Sequence, residues 1–371
     1  MKIGIDAHAV GTKVGGNELY IHSLINELAK IDKENEYILY TSNPKIFKKG
    51  LVQQKNFKTH LVLPFSRWIC VPISLPLELL KNPVDLLHVQ YIAPPICPKP
   101  FVVTIHDTSW EYFPEYYTKI DYIRLSKLVP FTLKRAEKII AVAENIKNEL
   151  IELYGIHSSK IVVTYNGVNN QFYPIKDPNQ ILKVRMKYNL PERFLLYVGI
   201  MRPVKNIPRL IEAFYQLKKN HNIEHKLVIV GEKGWLYSDI FKTVQRLGLE
   251  EEIVFTGYIE NEQLPLLYNA AELFVFPSIR EASPLPPIEA MACGTPMVVS
   301  STSSFPEIVG DAALMVNPYS IDEIAKAIYD VLSNPELQKT MSEKGIKRAK
   351  SFSWENTARK TLAVYEECIS R

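Results

Sequence analysis

Residues 273–300 read LFVFPSIREASPLPPIEAMACGTPMVVS. An unbroken apolar run ends at Pro277 or Ser278, a polar loop follows, and a second apolar run starts after Gly294. Continuous apolar runs bounded by turn residues are what parallel strands buried on both faces look like. Proline suits a first helical turn, because its missing N–H would have no intrahelical partner there, and glycine suits the far end. The stretch therefore predicts strand, loop, helix from Pro286 or Pro287, and strand again. Glu281 falls in the loop and Glu289 in the first turn of the helix.

The same unit recurs outward in both directions. RFLLYVG (193–199), KLVIVG (226–231) and EIVFTG (252–257) precede it, with amphipathic sequence such as IPRLIEAFYQLKKN between them. An earlier set comprises IGIDAHAV (3–10), YILYTS (37–42), HLVLPF (60–65), DLLHVQ (85–90), FVVTIHD (101–107) and KIIAVAE (138–144). Strands alternating with helical patterns predict α/β architecture with two doubly wound, Rossmann-like domains. A chain of 371 residues exceeds one ordinary core and fits two. The division is expected at residues 1–172 and 173–352, within 169–177, with ligands outside the carboxyl ends of the strands in a cleft between the domains. Residues 353–371 form an amphipathic helix expected to pack back on the first domain.

Composition is that of a soluble globular chain, with 47% hydrophobic and 23% charged residues. The start MKIGIDAHAV enters a strand directly and lacks the regions of a signal peptide, and no apolar run is long enough to span a membrane. Cys70, Cys97, Cys293 and Cys368 lie far apart and form no CxxC pair, so neither a zinc site nor a disulfide framework is indicated. The expected location is the cytoplasm, with peripheral contact at the inner face of a membrane as its variant. Net charge is +4, from 20 Lys+Arg against 16 Asp+Glu in residues 1–173 and 24 against 24 beyond. That bias suits an anionic acceptor or surface as well as ordinary solvated charge, and points to no nucleic acid.

Two carboxylates beside a helix start support it electrostatically, or accept the vicinal hydroxyls of a sugar and a ribose. The wider pattern resembles the retaining glycosyltransferases of the GT-B fold, family four. Their E-x7-E signature, EGFGLPxxEAMACGTPVV, is matched by Glu281, Leu285, Pro286, Glu289 and AMACGTP, and the resemblance runs nearly the whole chain. It implies that Glu281 binds donor hexose hydroxyls and Glu289 the nucleotide ribose, with Ser283 and Leu285 in the donor set. Ala282, Ser283 and Pro284 depart from the family's Gly, Phe and Gly, and Pro284 has no N–H to offer an oxygen.

A departing nucleoside diphosphate needs fixed positive charge. Arg202 and Lys205, in YVGIMRPVKNIPRL after a strand end, supply it or are merely solvated surface; the resemblance places Lys205, with Arg202 beside it, on the diphosphate. Gly15 and Gly16, ahead of a helical pattern, make an ordinary turn or let backbone N–H groups approach a phosphate, and the resemblance sets them over the donor diphosphate. His106 next to Asp107 at a strand end invites an acid/base reading. The resemblance instead gives His106 a part in placing the hexose. It assigns Gly231, Glu232, Tyr258 and Ile259 to the nucleotide base, while Glu307 matches a family segment without a separate role.

Retention is explained in this family by front-face substitution, in which the leaving diphosphate takes the acceptor proton. The chain has no Asp-x-Asp, so no metal and no cofactor is expected. The implied activity is transfer of a hexose from GDP-mannose or UDP-glucose to a glycan or lipid-linked saccharide. A sugar-nucleotide epimerase of the same fold and a noncatalytic nucleotide-sugar binder are the alternatives. Two aromatic or apolar stretches, TSWEYFPEYYTKIDYIRL (108–125) and SRWICVPISLPLELLK (66–81, with Trp68), suit acceptor or membrane contact as well as ordinary packing.

Overall fold

The computed structural model describes residues 1–11, 16–42, 54–63, 69–97 and 100–370. Gly15 and Trp68 lie outside them. The described residues divide into two compact units, one of residues 1–167 and 353–371, the other of residues 168–352.

The first unit is built on strands β1 (Lys2–Asp6), β2 (Glu36–Thr41), β3 (Phe57–Leu61), β4 (Leu86–Gln90), β5 (Phe101–Ile105), β6 (Lys138–Ala141) and β7 (Ile161–Val163). They form one sheet in the order 3-2-1-4-5-6-7, every described pairing parallel. The second unit holds β8 (Phe194–Val198), β9 (Lys226–Val230), β10 (Ile253–Gly257), β11 (Leu273–Phe276), β12 (Met297–Ser300) and β13 (Leu314–Val316). Their order is 10-9-8-11-12-13, again parallel throughout. Central strands β4, β5, β6, β8, β11 and β12 are buried along their whole length, which is why they read as unbroken apolar runs. The edge strand β3 is mostly exposed and carries Lys58, Thr59 and His60.

Each sheet winds outward from a central strand in both directions. The reversal falls between β1 and β4 in one unit and between β8 and β11 in the other. Loops leaving the carboxyl ends of adjacent strands diverge at such a point and open a crevice.

The final helix, Trp354–Ile369, belongs to the first unit. Ser353 caps it by accepting from the N–H of Asn356, and Trp354, Thr357, Ala358, Thr361, Val364, Tyr365 and Cys368 form its buried stripe. It lies against the Gly16–Ile31 helix. Gly167 permits the approach: a Cβ there would lie 2.1 Å from the Trp354 nitrogen. The Thr357 hydroxyl donates to the Tyr165 carbonyl at 2.6 Å, and the Tyr365 hydroxyl meets His88 Nδ1 at 2.6 Å. His88 is fully buried, its Nε2 against Thr104 Oγ1, and burial pulls its pKa down to about 4. A depressed histidine contributes stability above its ordinary value of 6.5 that is lost as pH falls toward 4.

Replacing Tyr365 by Phe strands His88 Nδ1 in the core, so Tyr365→Phe should lower stability by about 1–3 kcal/mol. Urea titration at pH 7.5 checks this: an unchanged midpoint would show that the His88 contact does not hold the helix down.

Candidate active site

Three loops meet at the switch point of the second unit. After β8, a bend through Arg202 leads into a short turn, Pro203–Lys205, and Asn206 takes φ +60 to start the Ile207–His221 helix. Asn206 Nδ2 donates to the carbonyls of Pro277 (2.9 Å) and Pro318 (2.6 Å), tying the β8 loop to the end of β11. The Ile279 N–H donates to the Val204 carbonyl at 2.9 Å. From the loop after β12, the Thr302 hydroxyl donates to the Ile279 carbonyl, and the hydroxyls of Ser303 and Ser304 both donate to the Glu281 carbonyl. The backbone carrying Glu281 is therefore fixed from two sides.

The side chain of Glu281 is held as firmly. Lys205 Nζ donates to Glu281 Oε1 at 2.5 Å, both side chains being less than one-fifth exposed, and the ammonium also lies over the Phe276 ring. This pair, largely shielded from solvent, joins the two residues that the sequence set apart for different tasks. Tyr197, near the end of β8, is fully buried, and its hydroxyl and that of Ser278 have no hydrogen-bond partner among the described residues. Arg202 stacks its guanidinium 3.8 Å above Trp235.

The helix spans Leu285–Cys293, with Pro284 as its cap and Gly294, at φ +75, closing it. Glu289 is its fifth residue and stands in the second turn, not the first; the helix begins earlier because Leu285 already takes helical geometry ahead of the proline pair. Glu289 is buried there, with only 9% of it exposed. Its Oε2 accepts from the Tyr268 hydroxyl at 2.9 Å, and burial pushes its pKa up to about 7. Pro284 is buried, while Ser283 and Leu285 are partly exposed.

Gly231 takes φ +141 directly behind β9, and a Cβ there would lie 2.1 Å from the Gly199 carbonyl oxygen. Only glycine lets the β8 and β9 loops pass so close. The Met201 N–H donates to the Glu232 carbonyl at 2.9 Å, completing the join. Tyr258 is 61% exposed, but Ile259 is buried, so its side chain belongs to the core.

In the first unit His106 and Asp107 do not act as a pair. His106 Nε2 meets Gln90 Oε1 at 2.8 Å and its ring lies edge-on to Tyr20, while Asp107 accepts from the Tyr91 hydroxyl and the Ser109 N–H. Successive residues leaving a strand point opposite ways, which separates the two side chains. Burial lowers the His106 pKa to about 3, so the ring is neutral across the physiological range. Gly16 is exposed at the first position of its helix.

Sequence reading missed Asp6, the last residue of β1, and His8 just beyond it. His8 Nδ1 lies 2.6 Å from Asp6 Oδ1, the other Asp6 oxygen is buried without a partner among the described residues, and the Asp6 charge raises the His8 pKa. Polar residues in IGIDAHAV at a strand end were the available signal. Tyr268 and the Ser303–Ser304 pair carried none, since their contacts cross between elements.

With this geometry in place the chain can be compared with known proteins. Residues 180–348 match the family Glycosyl transferases group 1, and residues 14–172 match Glycosyltransferase Family 4. The O-antigen chain mannosyltransferase B of Escherichia coli is 35% identical over 266 residues, 71% of this chain and 70% of that protein. This chain belongs to the group 1 glycosyltransferases. Among solved structures, sucrose-phosphate synthase from Thermosynechococcus elongatus covers 100% of the chain and 99% of its own at TM-score 0.79 and 21% identity. Anabaena Alr3699/HepE in complex with UDP and glucose covers 99% and 100% at TM-score 0.78 and 19% identity. These likenesses show that the glycosyltransferase has the GT-B fold.

The pKa of Glu289 has a consequence for stability. It is raised from 4.5, so the favourable contribution exists below 4.5 and is lost as pH climbs toward 7. At about 1.4 kcal/mol per unit, the ionised side chain costs the folded glycosyltransferase about 3 kcal/mol above pH 8. Glu289→Gln keeps an acceptor for Tyr268 and removes that cost, so its stability advantage should be about 2 kcal/mol larger at pH 8.5 than at pH 5.5. Denaturant melts at the two pH values measure it; an equal difference at both would place the raised titration elsewhere.

Proposed function

We propose that the chain is a retaining hexosyltransferase that works without a metal. It takes mannose, or failing that glucose, from GDP-mannose or UDP-glucose and passes it to a glycan or lipid-linked saccharide at the cytoplasmic face of a membrane. The Lys205–Glu281 contact carries this reading. It sets a cation for the leaving diphosphate beside a carboxylate for the hexose hydroxyls, one residue from each side of the switch point. Mannose comes first because the Escherichia coli relative is named a mannosyltransferase.

In this reading the second unit holds the donor and the first the acceptor. Glu289 accepts the ribose hydroxyls, the loops at Gly231, Glu232 and Tyr258 meet the base, and Ser283 and Leu285 complete the donor wall. His106 and the helix start at Gly16 are the first unit's candidates for the hexose and the diphosphate. The neutral His106 ring suits positioning, since a group with its pKa near 3 takes up no proton at pH 7.

The bond between the anomeric carbon and the diphosphate oxygen breaks while the acceptor hydroxyl bonds to the same face of that carbon. Its proton passes to the departing diphosphate oxygen, and the products are the glycoside and the nucleoside diphosphate. Lys205 and Arg202 stabilise the charge that grows on that oxygen. Neither Glu281 nor Glu289 acts as a nucleophile.

Transfer assayed with labelled sugar nucleotides and a panel of glycans should fall at least 100-fold in Glu281→Ala and in Lys205→Ala; full activity in either would remove the site. Hydroxyls donate to the ionised form of Glu289, so sugar-nucleotide affinity should rise about tenfold from pH 6 to pH 8. Glu289→Gln should bind weakly with no pH dependence, and calorimetry showing the wild-type slope in that variant would contradict the ribose assignment.

A further inference from the structure

Two polar layers stack on one face of the first sheet, beside its switch point. Gln90 ends β4 opposite Thr104 of β5, and residues two apart on a strand share a face, so His88 precedes Gln90 and His106 follows Thr104 on the same side. The lower layer is closed. His88 meets the Tyr365 hydroxyl through Nδ1 and Thr104 through Nε2, and Thr104 Oγ1 also reaches the Tyr20 hydroxyl at 3.2 Å.

The upper layer is left open. His106 Nε2 lies 2.8 Å from Gln90 Oε1, and an amide oxygen can only accept, so the ring carries its hydrogen on Nε2. In the neutral ring Nδ1 is then a bare acceptor. Among the described residues nothing hydrogen-bonds to Nδ1. Gln90 is only 7% exposed, and its Nε2, a donor of two hydrogens, is buried without a partner among the described residues. An unspent buried donor is costly, and a ligand that supplies the missing acceptor removes the cost.

The pair is also braced. Tyr91 takes φ +60, and the Ile92 N–H donates across it to the Gln90 carbonyl at 2.7 Å, a three-residue turn that a bulky residue adopts only under strain. The turn sets the Tyr91 ring 5.5 Å from that of His106 and its hydroxyl on Asp107, while the Tyr20 ring stands edge-on to His106 at 4.7 Å. Two aromatic rings hold the imidazole, and Gln90 decides which nitrogen it offers.

We infer that Gln90 is a specificity-determining residue: it fixes His106 in the Nε2–H form, so that Nδ1 accepts from one hexose hydroxyl while the Gln90 amide donates to a neighbouring one. This rests on the proposal that His106 places the transferred hexose, and it names the residue that makes the placement selective. The two open atoms are separated by no more than their hydrogen bond and the widths of an amide and an imidazole, the scale of one sugar ring. Hydroxyls suit both atoms because each donates and accepts; a carboxylate has no hydrogen to give Nδ1.

Long-range nitrogen–proton NMR of histidine-labelled protein reads the tautomer directly, with His106 assigned by its loss in His106→Asn. Wild type should carry hydrogen on Nε2 and none on Nδ1. Gln90→Met, similar in size but without the amide, should give a mixture of tautomers, whereas Gln90→Glu, which still accepts from Nε2, should keep the wild-type form. Transfer is then measured as kcat/KM with GDP-mannose, UDP-glucose and their monodeoxy-hexose analogues. Wild type should reject at least one analogue about 100-fold, and Gln90→Met should bring that ratio below about tenfold. Gln90→Glu, having lost the amide hydrogens, should narrow it too, so the test stands even if Gln90→Met does not fold. Hydrogen on Nδ1 in wild type, a tautomer unmoved by Gln90→Met, or discrimination intact in both variants would overturn the inference. A wild-type protein that turns over no sugar nucleotide would instead remove the hexosyltransferase reading, and the tautomers, read without substrate, would still decide the Gln90–His106 pair.

Discussion

The contact of Lys205 with Glu281 is the constraint around which the second unit is arranged. Two opposite charges with little solvent around them must be delivered to one place by two loops that leave different strands. Asn206 in a left-handed conformation, the Ile279–Val204 backbone bond and the serine hydroxyls on the Glu281 carbonyl all serve that delivery. Without the diphosphate, each charge neutralises the other. In the proposed reading, the donor supplies phosphate to the ammonium and hydroxyls to the carboxylate.

Burial sets the remaining electrostatics. Burial pushes the Glu289 carboxyl up to about 7, and the Tyr268 hydroxyl, which donates to it, only partly offsets the loss of water. His106 and His88 are kept neutral for the same reason with the opposite sign.

The architecture was legible because buried parallel strands write themselves as apolar runs, as in KIIAVAE and RFLLYVG. The helix after Glu281 was legible from its prolines and Gly294, although it starts at Leu285 and Glu289 is buried in its second turn. Long-range partnerships were not legible. Nothing local to Tyr268 shows that it faces Glu289, and nothing in HD at 106–107 shows that histidine turns to Gln90 while aspartate turns to Tyr91. Ile259 reads as a loop residue behind a strand, yet its side chain is core. Strand ends reveal where polar groups gather; only the fold decides which of them touch.

The claim that Lys205 exchanges Glu281 for the donor diphosphate is tested most directly by calorimetry of nucleoside diphosphate against nucleoside monophosphate on wild type, Lys205→Met and Glu281→Gln. The account predicts that Lys205→Met loses most of the preference for diphosphate, while Glu281→Gln, with its lysine released, binds the bare diphosphate more tightly than wild type. A preference that survives intact in Lys205→Met would contradict it.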